Sequence, residues 1–130
     1  MPKREVSLDA IRKPVGVFSQ ATVVEAKGKL VFISGMTARR PDGSIAGIGD
    51  ISAQTRQVCE NIKAAVEAAG GTLKDVAFNT IFLNDLANYA GMNEVYREFF
   101  PSEPPARYCI RVDLVKPEFL VEIASIAHLA

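Results

Sequence analysis

Between Ile51 and Leu83 the sequence changes its hydrophobic period, and this change limits the fold more than any other feature. Ile51, Thr55, Val58, Ile62, Ala65, Val66 and Ala69 recur at spacings of three and four, which gathers them on one side of a helix. Asp50 or Ser52 can cap its start, and Gly70-Gly71 offers a left-handed stop at its end. Val76-Ala77-Phe78-Asn79-Thr80-Ile81-Phe82-Leu83 follows as an apolar run of strand length. A one-sided helix that feeds an apolar strand must bury its stripe against a sheet.

The flanking segments extend this pattern. Ala21–Ala26 and Leu30–Ser34 are β-rich runs around Lys27-Gly28-Lys29, and they read as a hairpin. Arg39-Arg40-Pro41-Asp42-Gly43-Ser44 reads as a loop. A second helix is expected from about Leu86 to Phe100, with Tyr89, Met92, Val95, Tyr96 and Phe99 on one face and Pro101 at its end. The last third reads as a second hairpin, 107–114 against 119–124, closed at Lys116-Pro117-Glu118. The order ββ-α-β-α-ββ predicts an α/β (α+β) domain: a mixed sheet with both helices on one face. The other face then carries Leu120, Ala124 and Ile126 beside Arg107, Cys109 and Glu122, and a second copy of the chain is the expected cover.

A chain of 130 residues, 48% of them apolar, fits a single domain spanning residues 1–130. Fifteen basic residues balance fifteen acidic ones, which gives no broad attraction to nucleic acid or to a membrane surface. No run approaches the roughly 18–20 apolar residues of a membrane helix, and Met1-Pro2-Lys3-Arg4-Glu5 has no apolar stretch behind it. Cys59 and Cys109 share no motif, so two free thiols in a cytoplasmic protein are expected. His128 is the sole histidine and has no ligand partner in pattern, so no metal site is expected.

Chemistry concentrates near the C-terminus. Pro104-Pro105-Ala106-Arg107 and Leu120-Val121-Glu122-Ile123 put one arginine and one carboxylate on mostly apolar strands. Unpaired charge there is costly. In the predicted hairpin the two residues stand opposite or diagonal to each other. Two readings stay open: a direct ion pair, or a pocket in which arginine's planar fork holds a ligand carboxylate while Glu122 orients water.

Pro105-Ala106-Arg107, with Val121-Glu122-Ile123 and Ile126-Ala127, resembles the signature of the RidA/YjgF (L-PSP) family. The likeness runs from Ser34-Gly35 to Ile126-Ala127. Ala53-Gln54-Thr55-Arg56, Asn93-Glu94-Val95-Tyr96 and Leu114-Val115-Lys116-Pro117 place it nearest the RutC-type 3-aminoacrylate deaminases. The resemblance implies a chorismate-mutase-like fold and a homotrimer around a central barrel, with sites between subunits. It implies cofactor-independent hydrolysis of small enamines and imines (3-aminoacrylate or 2-iminopropanoate type) to the carbonyl acid and ammonia. Arg107 would bind the substrate carboxylate, Glu122 would hold the hydrolytic water, and Ser34, Gly35, Asn93 and the main chain at Cys109 would line the pocket. Phe18 stands where much of the family has tyrosine, so it can form a wall but has no hydroxyl. Arg39-Arg40-Pro41-Asp42 looks more like the 2-aminomuconate deaminases, where these arginines would meet a second carboxylate; the plainer reading is solvated loop charge. Some members carry an endoribonuclease label, and a non-catalytic oligomer that binds small acids is a further alternative.

Overall fold

A computed structural model describes residues 3–6 and 16–130. Met1 and Pro2, part of the N-terminal reading, lie outside them. The period change appears where the sequence puts it. Helix α1 spans Ile51–Ala68, and Asp50 rather than Ser52 caps it, its carboxylate accepting from Ala53 N at 3.1 Å. Gly70, at φ +98°, turns the chain out of the helix. A 3-10 turn at Leu73–Asp75 leads into strand β4, Val76–Leu83. Helix α2, Tyr89–Phe99, ends before Pro101.

Five further strands lie among the described residues: β1 Arg4–Val6, β2 Ala21–Val23, β3 Lys29–Met36, β5 Ala106–Arg111 and β6 Val121–Leu129. The main sheet has the order β3-β6-β4-β5 and is mixed, with β4 parallel to β5 and antiparallel to β6. Both helices pack on one face. Val58, Ile62 and Val66 of α1 and Met92 and Tyr96 of α2 meet Ile81, Leu83, Val121 and Ile123 in one buried cluster. Cys59 lies inside it, and burial pushes its thiol up to about 12. No helix among the described residues is long and apolar enough to cross a membrane.

Two strand pairings differ from those read in the sequence. The expected hairpin of residues 21–26 with 30–34 does not form. β2 pairs with β1 instead, Thr22 Oγ1 donates to Ala77 O at 2.9 Å, and β3 pairs with β6. Gly28 supplies the reason: at φ +86° it lies so close to the end of β6 that a Cβ there would stand 2.1 Å from Leu129 O. The glycine serves a close backbone approach rather than a two-residue turn.

The second difference matters more. β5 and β6 do not pair with each other; β4 runs between them. β4, α2 and β5 form a βαβ unit, in which the helix supplies the crossover that a parallel pair needs. Alternation within a strand shows which residues share a face but not which strand lies alongside. The face assignment shifts with it. Arg107 and Cys109 stand level with Asn79 and Ile81, on the helix-covered face with Ile123 and Ser125. Tyr108, Ile110, Glu122, Ala124 and Ile126 point to the opposite face.

The connection from β5 to β6 is held by Gln54, which is fully buried on α1. Its Nε2 donates to Glu118 O at 2.8 Å, and its Oε1 accepts from Leu120 N at 2.9 Å. Gln54→Leu keeps the bulk but orphans both backbone groups, at about 1–3 kcal/mol for each. A lower urea midpoint with an unchanged m-value is the expected result.

Candidate functional site

Arg107 stands at the start of β5, directly after the rigid Pro104-Pro105 entry. The segment before β2 is strapped to this entry. Ser19 N donates to Pro105 O at 3.3 Å. Ser19 Oγ lies 2.8 Å from Glu5 Oε2 and 2.5 Å from Pro104 O, so one hydroxyl bridges β1 and the proline pair. The strap brings Phe18 to the guanidinium, with its ring centroid 5.8 Å from Arg107 Cζ.

Helix α2 closes the other side. Tyr89, Asn93 and Tyr96 fall at i, i+4 and i+7 and share one face. Arg107 Cζ lies 4.9 Å from the Tyr96 ring centroid and 5.9 Å from that of Tyr89, and its Nη2 donates to Tyr89 Oη at 3.3 Å. The cation is thus held by three aromatic faces and a hydroxyl. No carboxylate among the described residues pairs with it; the ion pairs found there are Lys27–Glu25 and Arg56–Glu98. Its Nη1 is buried with no hydrogen-bond partner, and so is Asn93 Oδ1 on the neighbouring helix face. A strong donor and an acceptor are therefore both buried and unspent, one on β5 and one on the face of α2 that carries Tyr89 and Tyr96. Cys109 follows on the same strand face, half-buried, its thiol raised by burial and lowered in part by the Arg107 charge.

Glu122 lies elsewhere. It stands level with Phe82 on β6, on the sheet face away from the helices. The β3–β6 register slips between Ile33 and Met36, and the irregular stretch holds Ser34 and Gly35. The Glu122 carboxylate packs onto this stretch so closely that a Cβ on Gly35 would meet Oε2 at 2.1 Å. Ser34 is exposed and lines a shallow recess of about 300 Å³ with Phe32, Phe78 and Ala124. The expected meeting of Arg107 with Glu122 on adjacent strands does not occur within one chain, because β4 separates them and they face opposite ways. The direct ion pair is therefore not formed. The site residues divide into Phe18, Asn93, Arg107 and Cys109 on one side and Ser34, Gly35 and Glu122 on the other.

Arg39 and Arg40 belong to neither group. Both are exposed on a loop closed by a bridge between Arg39 and Ile45. Arg39 Nη1 donates to Gly43 O at 2.7 Å and the group lies over the Phe119 ring; Arg40 Nη1 donates to Ser44 Oγ at 3.1 Å. Asn61 Nδ2 on α1 holds the same loop through the carbonyls of Thr37 and Arg39. Tyr89 and Tyr96, which enclose Arg107, read in the sequence only as core aromatics. Their spacing with Asn93 was visible, but nothing in it placed β5 beside that face.

The model of the family described as endoribonuclease L-PSP matches residues 8–129. A Yersinia pestis protein of the conserved Rid family, YyfB, is 30% identical over 99% of this chain and 100% of its own, with a TM-score of 0.89. RidA from an Antarctic Psychrobacter is 36% identical over 97% of this chain and 99% of its own, with a TM-score of 0.72. A Mycobacterium tuberculosis member of the YjgF/YER057c/UK114 family is 32% identical over 85% of this chain and 86% of its own, with a TM-score of 0.70. The match along nearly the whole length, on the same mixed sheet with two helices, makes this chain a member of the RidA/YjgF (L-PSP) family with its chorismate-mutase-like fold.

Proposed function

We propose that this protein hydrolyses small carboxylate-bearing enamines and imines, of the 3-aminoacrylate or 2-iminopropanoate type, to the carbonyl acid and ammonia. Membership of the Rid family supports an imine/enamine deaminase role in general terms. One observation carries the finer reading: the guanidinium of Arg107 is flanked by aromatic rings, and its Nη1 is buried and left unpaired. A planar fork in that state suits a carboxylate, which accepts two parallel hydrogen bonds. Asn93 Oδ1, unpaired on the helix face that carries Tyr89 and Tyr96, suits the N–H of an amine or imine on the same small molecule.

In this reading the two groups of site residues meet between copies of the chain, in a homotrimer. β3 and β5 are the two edges of the sheet. The uncovered sheet face supports the assembly: Phe32 is 72% exposed there, and Leu30, Tyr108 and Ile110 are also exposed. Arg107 anchors the substrate carboxylate. Protonation of the enamine carbon gives an iminium, whose C=N carbon is electrophilic. Glu122 from the adjoining copy orients a water and takes its proton as the C–O bond forms. The C–N bond of the carbinolamine then breaks, the nitrogen leaves as ammonia, and the hydroxyl becomes the carbonyl. Such substrates hydrolyse slowly on their own, so positioning and one acid–base group suffice.

Ammonia release from freshly generated 3-aminoacrylate and 2-iminopropanoate tests the assignment. Arg107→Ala should lower kcat/KM by about 100-fold, or roughly 2.7 kcal/mol, and Arg107→Lys should recover only part of it. An unchanged rate in Arg107→Ala refutes the assignment.

Gly35→Ala should displace the Glu122 carboxylate and lower kcat at least about tenfold while KM stays within about twofold, since Arg107 is untouched. Steady-state kinetics with the same substrates separate the two constants. Phe32→Glu should shift the protein toward monomer in light scattering and remove turnover along with assembly.

A further inference from the structure

Beneath Arg107 runs a chain of polar side chains through the apolar core. Ser125 Oγ donates to Asn79 Oδ1 at 2.6 Å, and Asn79 Nδ2 donates to Tyr96 Oη at 2.8 Å. Asn79 and Tyr96 are fully buried and Ser125 nearly so. The three residues come from β6, β4 and α2, and Asn79 is the register partner of both Ser125 and Arg107. Core polar groups are costly unless paired, and apolar residues of the same shape would serve packing as well. The chain has a direction. Ser125 occupies the amide oxygen of Asn79, which turns the amide NH2 toward Tyr96. Asn79 thereby pins Tyr96 Oη and with it the ring, whose centroid lies 4.9 Å from Arg107 Cζ. Burial holds the phenol far above its ordinary range, so this acceptor stays neutral and never neutralises the arginine.

We propose that Asn79 and Tyr96 are positioning residues for Arg107. The Ser125–Asn79–Tyr96 relay sets the angle of the guanidinium, so that its unpaired Nη1 edge faces the ligand. This rests on the reading that Arg107 receives a carboxylate. A role in packing alone would lower stability and leave the affinity of the folded protein unchanged. A positioning role weakens carboxylate binding in molecules that remain folded, because a bidentate contact tolerates little misalignment.

Pyruvate, a stable carboxylate with the carbonyl of one expected product, is the probe. It is titrated calorimetrically into the full-length wild-type protein, Tyr96→Phe and Ser125→Ala, with folding checked by circular dichroism. Tyr96→Phe should raise the Kd about tenfold, and Ser125→Ala, one bond further from the cation, about threefold. With generated enamine, KM should rise by the same factors and kcat should stay within about twofold. Wild-type affinity in Tyr96→Phe overturns the proposal, whatever its melting temperature. So does a fall in kcat at constant KM, or a wild-type protein that binds no pyruvate. If Tyr96→Phe does not fold, Ser125→Ala decides by the same criteria. If the wild type binds pyruvate and Tyr96→Phe weakens it, but no enamine is turned over, the deaminase reading fails and the relay stands. If ammonia is released and the Kd does not move, the relay fails alone.

Discussion

The placement of β4 between β5 and β6 is the constraint from which the rest of the structure follows. It is a strand with apolar residues on both faces, and it accepts a parallel partner on one side and an antiparallel one on the other. The parallel pair commits α2 to the crossover and thereby lays Tyr89, Asn93 and Tyr96 over the first residues of β5. The antiparallel pair sends Glu122 to the far side of the sheet. One pairing decision thus builds the arginine recess and removes from it the carboxylate that would have filled it.

The recess solves a charge problem without neutralising the charge. A carboxylate partner would hold Arg107 firmly but would also compete with any acidic ligand. Aromatic faces and a neutral hydroxyl hold it while leaving its Nη1 unpaired. The same logic explains why Ser19 and the proline pair are so tightly joined: Phe18 is effective only where its ring meets the guanidinium. On the other sheet face, Gly35 lets the Glu122 carboxylate lie against the backbone of β3, a space that any side chain would occupy.

Much of this was legible in the sequence, and the illegible part had a common cause. The α1 stripe, its glycine stop, β4 and the α2 face all follow from local periodicity, and each is found close to its expected place. Arg107, Glu122, Ser34, Gly35 and Asn93 stood out by residue type or by resemblance. Strand neighbours did not, because alternation carries no information about partners. The supposed hairpin around Gly28 and the supposed pairing of Arg107 with Glu122 both failed on that point. Tyr96 and Asn79 do not stand out in the sequence, since their significance depends on β5 lying next to them.

The way Arg107 is held has a consequence for its response to dissolved ions. Quadrupoles and buried dipoles act at contact range inside the protein, where mobile counterions do not enter. An approaching anion is attracted across open solvent, over distances comparable to the screening length of about 8 Å at physiological ionic strength. Raising ionic strength therefore weakens the pull on the ligand and leaves the receiving geometry in place. In this fold, the capture of an acid and the readiness to receive it are governed by separate forces.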